Sequence, residues 1–162
     1  MYKPYPDAEP ARRPARARPP AVRNAIWLMY LGAALEVPAI IADVADRSAI
    51  RQSILRHHPG DTAAQLGRAE NGQIVLLVIL GLIGLALWLW MAWANGRGLA
   101  WARIVAAVLY GISTVGLPFS LVLSGNAPLL AIDVVGWLAG TGAIVLLFSR
   151  QSRPFFRPAP AA

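Results

Sequence analysis

The sequence predicts an all-α integral membrane protein, a bundle of four transmembrane helices. Three observations carry this. Of 162 residues, 57% are apolar and 14% charged, against about a quarter charged in soluble domains. The charges are absent from four long apolar stretches, each of a length that crosses hydrocarbon as a helix. The remainder is too small for a soluble domain of ordinary size.

Residues 1–23 read as a disordered, proline- and arginine-rich cytoplasmic tail. Pro4, Pro6, Pro10, Pro14, Pro19 and Pro20 remove backbone donors, and Lys3, Arg12, Arg13, Arg16, Arg18 and Arg23 make it basic. The first apolar run starts too late, and is too long, for a cleaved signal core, so it is read as a retained span. The membrane domain covers 24–149. Span 1 is placed at about 25–42: nineteen residues separate Arg23 from Asp43, just enough to cross. Glu36 and Pro38 interrupt it.

The connection 43–70 contains four acids and four arginines. Its first half, with Ile50 and Ile54 one turn apart, either prolongs span 1 as a helix or lies along the membrane surface; His57 to Asp61 form a turn. Span 2 is placed at about 72–94 and ends in Trp88, Trp90 and Trp93. After the short turn Asn95–Gly98, span 3 covers about 99–123. An uncharged turn, Ser124 to Pro128, leads to span 4 at about 129–148. Residues 150–162 read as a second cytoplasmic tail.

Orientation follows from the basic residues. They gather on the N-terminal tail, at Arg97 and Arg103, and at Arg150, Arg153 and Arg157. Arg47, Arg51, Arg56 and Arg68 oppose this bias, but the aromatic residues agree with it. Trp27, Trp90, Trp93 and Trp101 all fall near the same interface, where indoles are favoured, and Arg103 can snorkel back to it. Both termini are therefore expected in the cytoplasm. The net charge of +7 is read as topology and contact with anionic lipid rather than nucleic acid.

Two carboxylates fall inside the spans. Glu36 is about 10 Å and Asp133 about 8 Å from the outer boundary at 1.5 Å per residue. If spans 1 and 4 pack together, the two can face each other and share a proton. Asp43, seven residues after Glu36, shares its helix face; Ser124, Asn126 and Thr114 could line the same region. A carboxylate in hydrocarbon must be protonated, paired or hydrated. A proton- or cation-responsive site, a polar packing bridge and a partner supplying the opposite charge remain open. Pro38, Gly136 and Gly140 are read as helix-packing positions; the latter two form a small-xxx-small pair.

No cysteine is present, which excludes disulfides, cysteine-ligated zinc, iron–sulfur clusters and c-type haem. The sequence has no phosphate loop, no nucleophile elbow and no metal-binding histidine pair at helical spacing. No histidine lies in a span, which argues against b-type haem. The expectation is a protein with no enzyme activity, no cofactor and no metal.

Two resemblances add to this. Asn95–Gly96–Arg97–Gly98–Leu99–Ala100–Trp101–Ala102–Arg103 resembles the turn and helix start of many small actinobacterial membrane proteins of unknown function, which implies a fold type and no activity. Tyr30–Leu31–Gly32–Ala33–Ala34–Leu35–Glu36–Val37 is similar to the first span of the small multidrug resistance transporters, dimeric four-span proteins whose first-span glutamate exchanges protons for cationic drugs. That resemblance would give Glu36 this role. It extends over about eight residues, and the long first connection, the tails and Asp133 depart from the family's pattern. The sequence thus favours a structural or regulatory protein of a membrane assembly, as a homo-oligomer or within a larger complex. The alternative is a proton-coupled transporter of small cations.

Overall fold

The computed structural model describes residues 17–123 and 127–157. The expectations for residues 1–16, for the turn side chains Ser124 and Asn126, and for 158–162 lie outside the described residues. The chain is an all-α membrane bundle of five helices among the described residues: α1 (Pro20–Ala45), α2 (Arg47–His57), α3 (Ala63–Gly96), α4 (Ala100–Leu123) and α5 (Ala127–Phe148). All but α2 are long and apolar enough to cross a membrane.

The first helix begins earlier than the span expected from Ala25. Pro20 occupies its first turn, where the missing N–H costs nothing and the fixed φ suits the helix. Val22 is fully buried, so residues 20–23 belong to the bundle rather than to a tail. The helix passes through Pro38 and stops at Ala45.

Asp46 then caps α2: its carboxylate accepts from the backbone N–H of Ala49 at 3.1 Å and from the Ser48 hydroxyl at 2.9 Å. The segment does not prolong α1; it forms a separate helix packed against α3. Ile50 and Ile54 bury against Leu66, with Ile74 and Leu77 alongside. The spacing of four places both isoleucines on one face.

Thr62 starts α3 with a reciprocal cap. Its hydroxyl accepts from the Gln65 N–H, and its own N–H donates to the Gln65 side chain at 2.8 Å. The helix has 34 residues, roughly 50 Å at 1.5 Å per residue. It therefore exceeds the expected 72–94 span and projects beyond about 30 Å of hydrocarbon, with α2 packed on the projecting end. Gly98, at φ +71°, makes the turn into α4. Only glycine enters this left-handed region without a Cβ penalty.

Helix α1 packs along α3 on one side and α5 on the other; α4 packs on α5 and touches α3 lightly. The main core lies at the end shared by the start of α1, the end of α3, the start of α4 and the end of α5. Val22, Ala25, Met29, Met91, Ala92, Ala106, Ala143 and Leu147 build it.

The C-terminal segment joins this end instead of leaving it. Phe156 is buried in the core, and the Ser152 hydroxyl donates to the Leu146 carbonyl at 2.6 Å. Both described ends of the chain and the α3–α4 turn therefore sit together. Arg18 lies close to Gly96 and Phe155 close to Gly98.

Candidate functional site

Beyond this core the four long helices diverge around a cavity of about 430 Å³. Met29, Met91, Ala106 and Ala143, all buried residues of the core, line its floor. Glu36 of α1 and Asp133 of α5 line its walls together with the rings of Trp88, Tyr110 and Trp137. No basic side chain lines it among the described residues.

Glycines set the position of Glu36. Its carboxylate lies over Gly84 of α3, where an added Cβ would be 3.2 Å away. The indole of Trp88 crosses the bare surface of Gly32, so that a Cβ there would meet the ring at 2.7 Å. Trp88 can therefore donate its Nε1–H to Glu36 Oε1, at 3.2 Å. A buried indole N–H usually finds such a partner. Glycines that let helix surfaces approach are the ordinary packing device of membrane bundles.

The opposite wall is a clasp between α4 and α5. Trp137 Nε1 donates to Thr114 Oγ1 at 3.0 Å, and that hydroxyl donates to the Tyr110 carbonyl at 2.9 Å. In return, Thr141 Oγ1 donates to the Trp137 carbonyl at 2.9 Å and shares a 2.6 Å bond with the Tyr110 hydroxyl. Since the threonine proton is already used, tyrosine is the donor. Each helix supplies one aromatic and one threonine four residues apart, which places them on one face. The Tyr110 and Trp137 rings lie 6.0 Å apart between centroids.

The ring donors are thus engaged, and carboxylate oxygens face the same cavity. Asp133 makes no side-chain hydrogen bond or ion pair among the described residues. Glu36, Asp43 and Asp133 lie within one another's electrostatic reach. Glu36 and Asp133 thus meet on one cavity, while Asp43 stands two turns along α1 and does not line it. A cavity of this size with aromatic side chains and two carboxylates can offer both charge and cation–π attraction.

The expected packing positions divide. Gly140 lies against Tyr110, where a Cβ would be 3.0 Å from the ring. Gly136 lines the cavity, and a Cβ there would meet nothing within 4 Å among the described residues. Pro38 is exposed on α1 within the single chain, since the 3.6-residue period turns it away from the face that carries Glu36.

At the core end, Trp27, Trp90, Trp93 and Trp101 are all exposed. Trp90 and Trp101 meet at a tilt, 5.5 Å between centroids, and the Arg97 guanidinium lies 4.2 Å from the Trp93 ring centre. Arg103 does not extend freely outward. Its guanidinium sits 5.6 Å from the ring centres of both Phe148 and Phe156.

Sequence reasoning did not find Trp88, Tyr110 or Trp137 as parts of this cavity, nor Thr141 as the partner of Tyr110. The paired aromatic–threonine spacing on two adjacent spans was the available signal. No group of three or more histidine, aspartate or glutamate side chains could hold a metal ion among the described residues. No family model, curated relative or solved structure matches the chain.

Proposed function

We propose that this multi-pass membrane protein binds small organic cations in its central cavity and exchanges them for protons. The observation that carries this is the meeting of Glu36 and Asp133 on one aromatic-lined cavity without a basic side chain among the described residues. Two carboxylates in a low-dielectric site are costly as a bare pair of charges. Either protons or a cation relieve that cost, and each displaces the other. In this reading the protein is a carrier and not an enzyme, and Glu36 and Asp133 bind the exchanged ion. The protein lies in the cell membrane with both termini cytoplasmic and its basic end toward anionic lipid.

A second reading gives the chain a structural or regulatory role, in a homo-oligomer or a larger membrane assembly. The α4–α5 clasp and the Trp88–Glu36 bond favour it, because both join helices with no ligand required.

Proton release separates the two. Purified protein at weak buffering is titrated with lipophilic cations such as tetraphenylphosphonium, alongside Glu36→Gln. Carriage predicts proton release that the neutral variant reduces by about tenfold or more, corresponding to loss of a charge-assisted contact. A variant that still folds while the native protein neither binds nor releases protons across the panel would favour the structural role.

A further inference from the structure

A second recess, of about 460 Å³, opens at the core end between the start of α4 and the C-terminal segment. Ala100, Arg103, Phe148, Arg153, Phe156 and Arg157 line it. Three guanidinium groups thus border one concavity with two phenyl rings, and no acidic side chain lines it among the described residues. We propose that this recess is a binding site for the phosphate of an anionic phospholipid.

Arg103 supplies the first argument. Its Nε is buried and has no hydrogen-bond partner among the described residues, and aromatic rings flank its charge. A buried guanidinium N–H left unpaired is costly, and an anion is the partner that its chemistry fits. The placement is the second argument. The recess shares the end of the bundle that carries exposed Trp90, Trp93 and Trp101, the residues that favour the headgroup level. A lipid there would lay its acyl chains along the apolar bundle while its phosphate meets Arg103 and Arg153.

The local fold builds this arrangement. Ser149 and Ser152 turn the chain back after α5: the Ser149 hydroxyl donates to the Leu146 carbonyl at 2.8 Å, and Ser152 donates to the same oxygen. Phe156 then plugs into the core and holds Arg153 and Arg157 opposite Arg103. This site is separate from the carboxylate cavity and does not depend on cation exchange.

The test uses the full chain in nanodiscs. Native mass spectrometry counts retained lipid in phosphatidylcholine discs containing a minor fraction of phosphatidylglycerol. Arg153→Gln changes an exposed residue, and Arg103→Lys keeps the charge but removes the planar fork. Arg97→Gln removes one charge at the same end outside the recess.

The expected result is one saturably retained phosphatidylglycerol. Its apparent affinity should fall about tenfold in Arg153→Gln and in Arg103→Lys, as for a lost charge-assisted hydrogen bond, and less than about twofold in Arg97→Gln. Equal losses in Arg153→Gln and Arg97→Gln would overturn the proposal, because only surface potential would then be acting. Inorganic phosphate displacing the lipid fully at equal concentration would also overturn it, assigning the recess to a soluble phosphate. Arg153→Gln keeps the test valid should Arg103→Lys fail to fold.

Discussion

Replacing Gly32 by alanine tests the packing that places Glu36. The added Cβ would lie 2.7 Å from three atoms of the Trp88 indole. To reach ordinary contact at 3.4 Å, the ring must retreat by about 0.7 Å. Overpacking of this kind costs about 1–3 kcal/mol. The same retreat strains a Trp88–Glu36 hydrogen bond that already measures 3.2 Å.

Gly136→Ala is the matched control, since a Cβ there meets nothing within 4 Å. Both substitutions gain the same helix propensity, so the difference between them isolates the clash. Reversible unfolding in bicelles, followed by steric trapping, should find Gly32→Ala less stable than Gly136→Ala by about 1–3 kcal/mol. Equal stability of the two variants would refute the close approach of α1 and α3 at Trp88.

Two further substitutions probe other parts of the bundle. Gly98→Ala places a side chain at φ +71° with Phe155 3.0 Å from its Cβ; a loss of about 1–2 kcal/mol is expected from the left-handed backbone alone, with faster proteolysis around Phe155. Unchanged proteolysis and stability would contradict the packed C-terminal segment. Tyr110→Phe removes the 2.6 Å bond to Thr141, which still donates to the Trp137 carbonyl. A modest loss of about 0.6 kcal/mol, and at most about 1.7, is expected. A double-mutant cycle with Thr141→Val should give a coupling of that size, and zero coupling would dismiss the clasp.

Four apolar runs determine an all-helical membrane bundle, because an isolated backbone in hydrocarbon must satisfy its own hydrogen bonds. That constraint is local, so sequence alone carries it. Glu36 and Asp133 were also legible as carboxylates within apolar helices, and both line one cavity. Helix ends were less legible. Pro20 and the Thr62–Gln65 cap extend α1 and α3 beyond their hydrophobic stretches, since caps and packing, not hydropathy, decide where a helix starts.

Tertiary structure alone decided what surrounds the carboxylates. Whether Trp88 reaches Glu36 depends on the rotation of α3 about its own axis against α1, and a uniformly apolar span gives little hydrophobic asymmetry from which to read that rotation. The same holds for Gly136, which faces the cavity, while Gly140, one turn away, meets Tyr110. The placement of Arg103 likewise waited on the fold, because Phe156, more than fifty residues later, must turn back under the bundle to meet it. Hydropathy fixes which segments enter the membrane; side-chain contacts between them fix which faces meet.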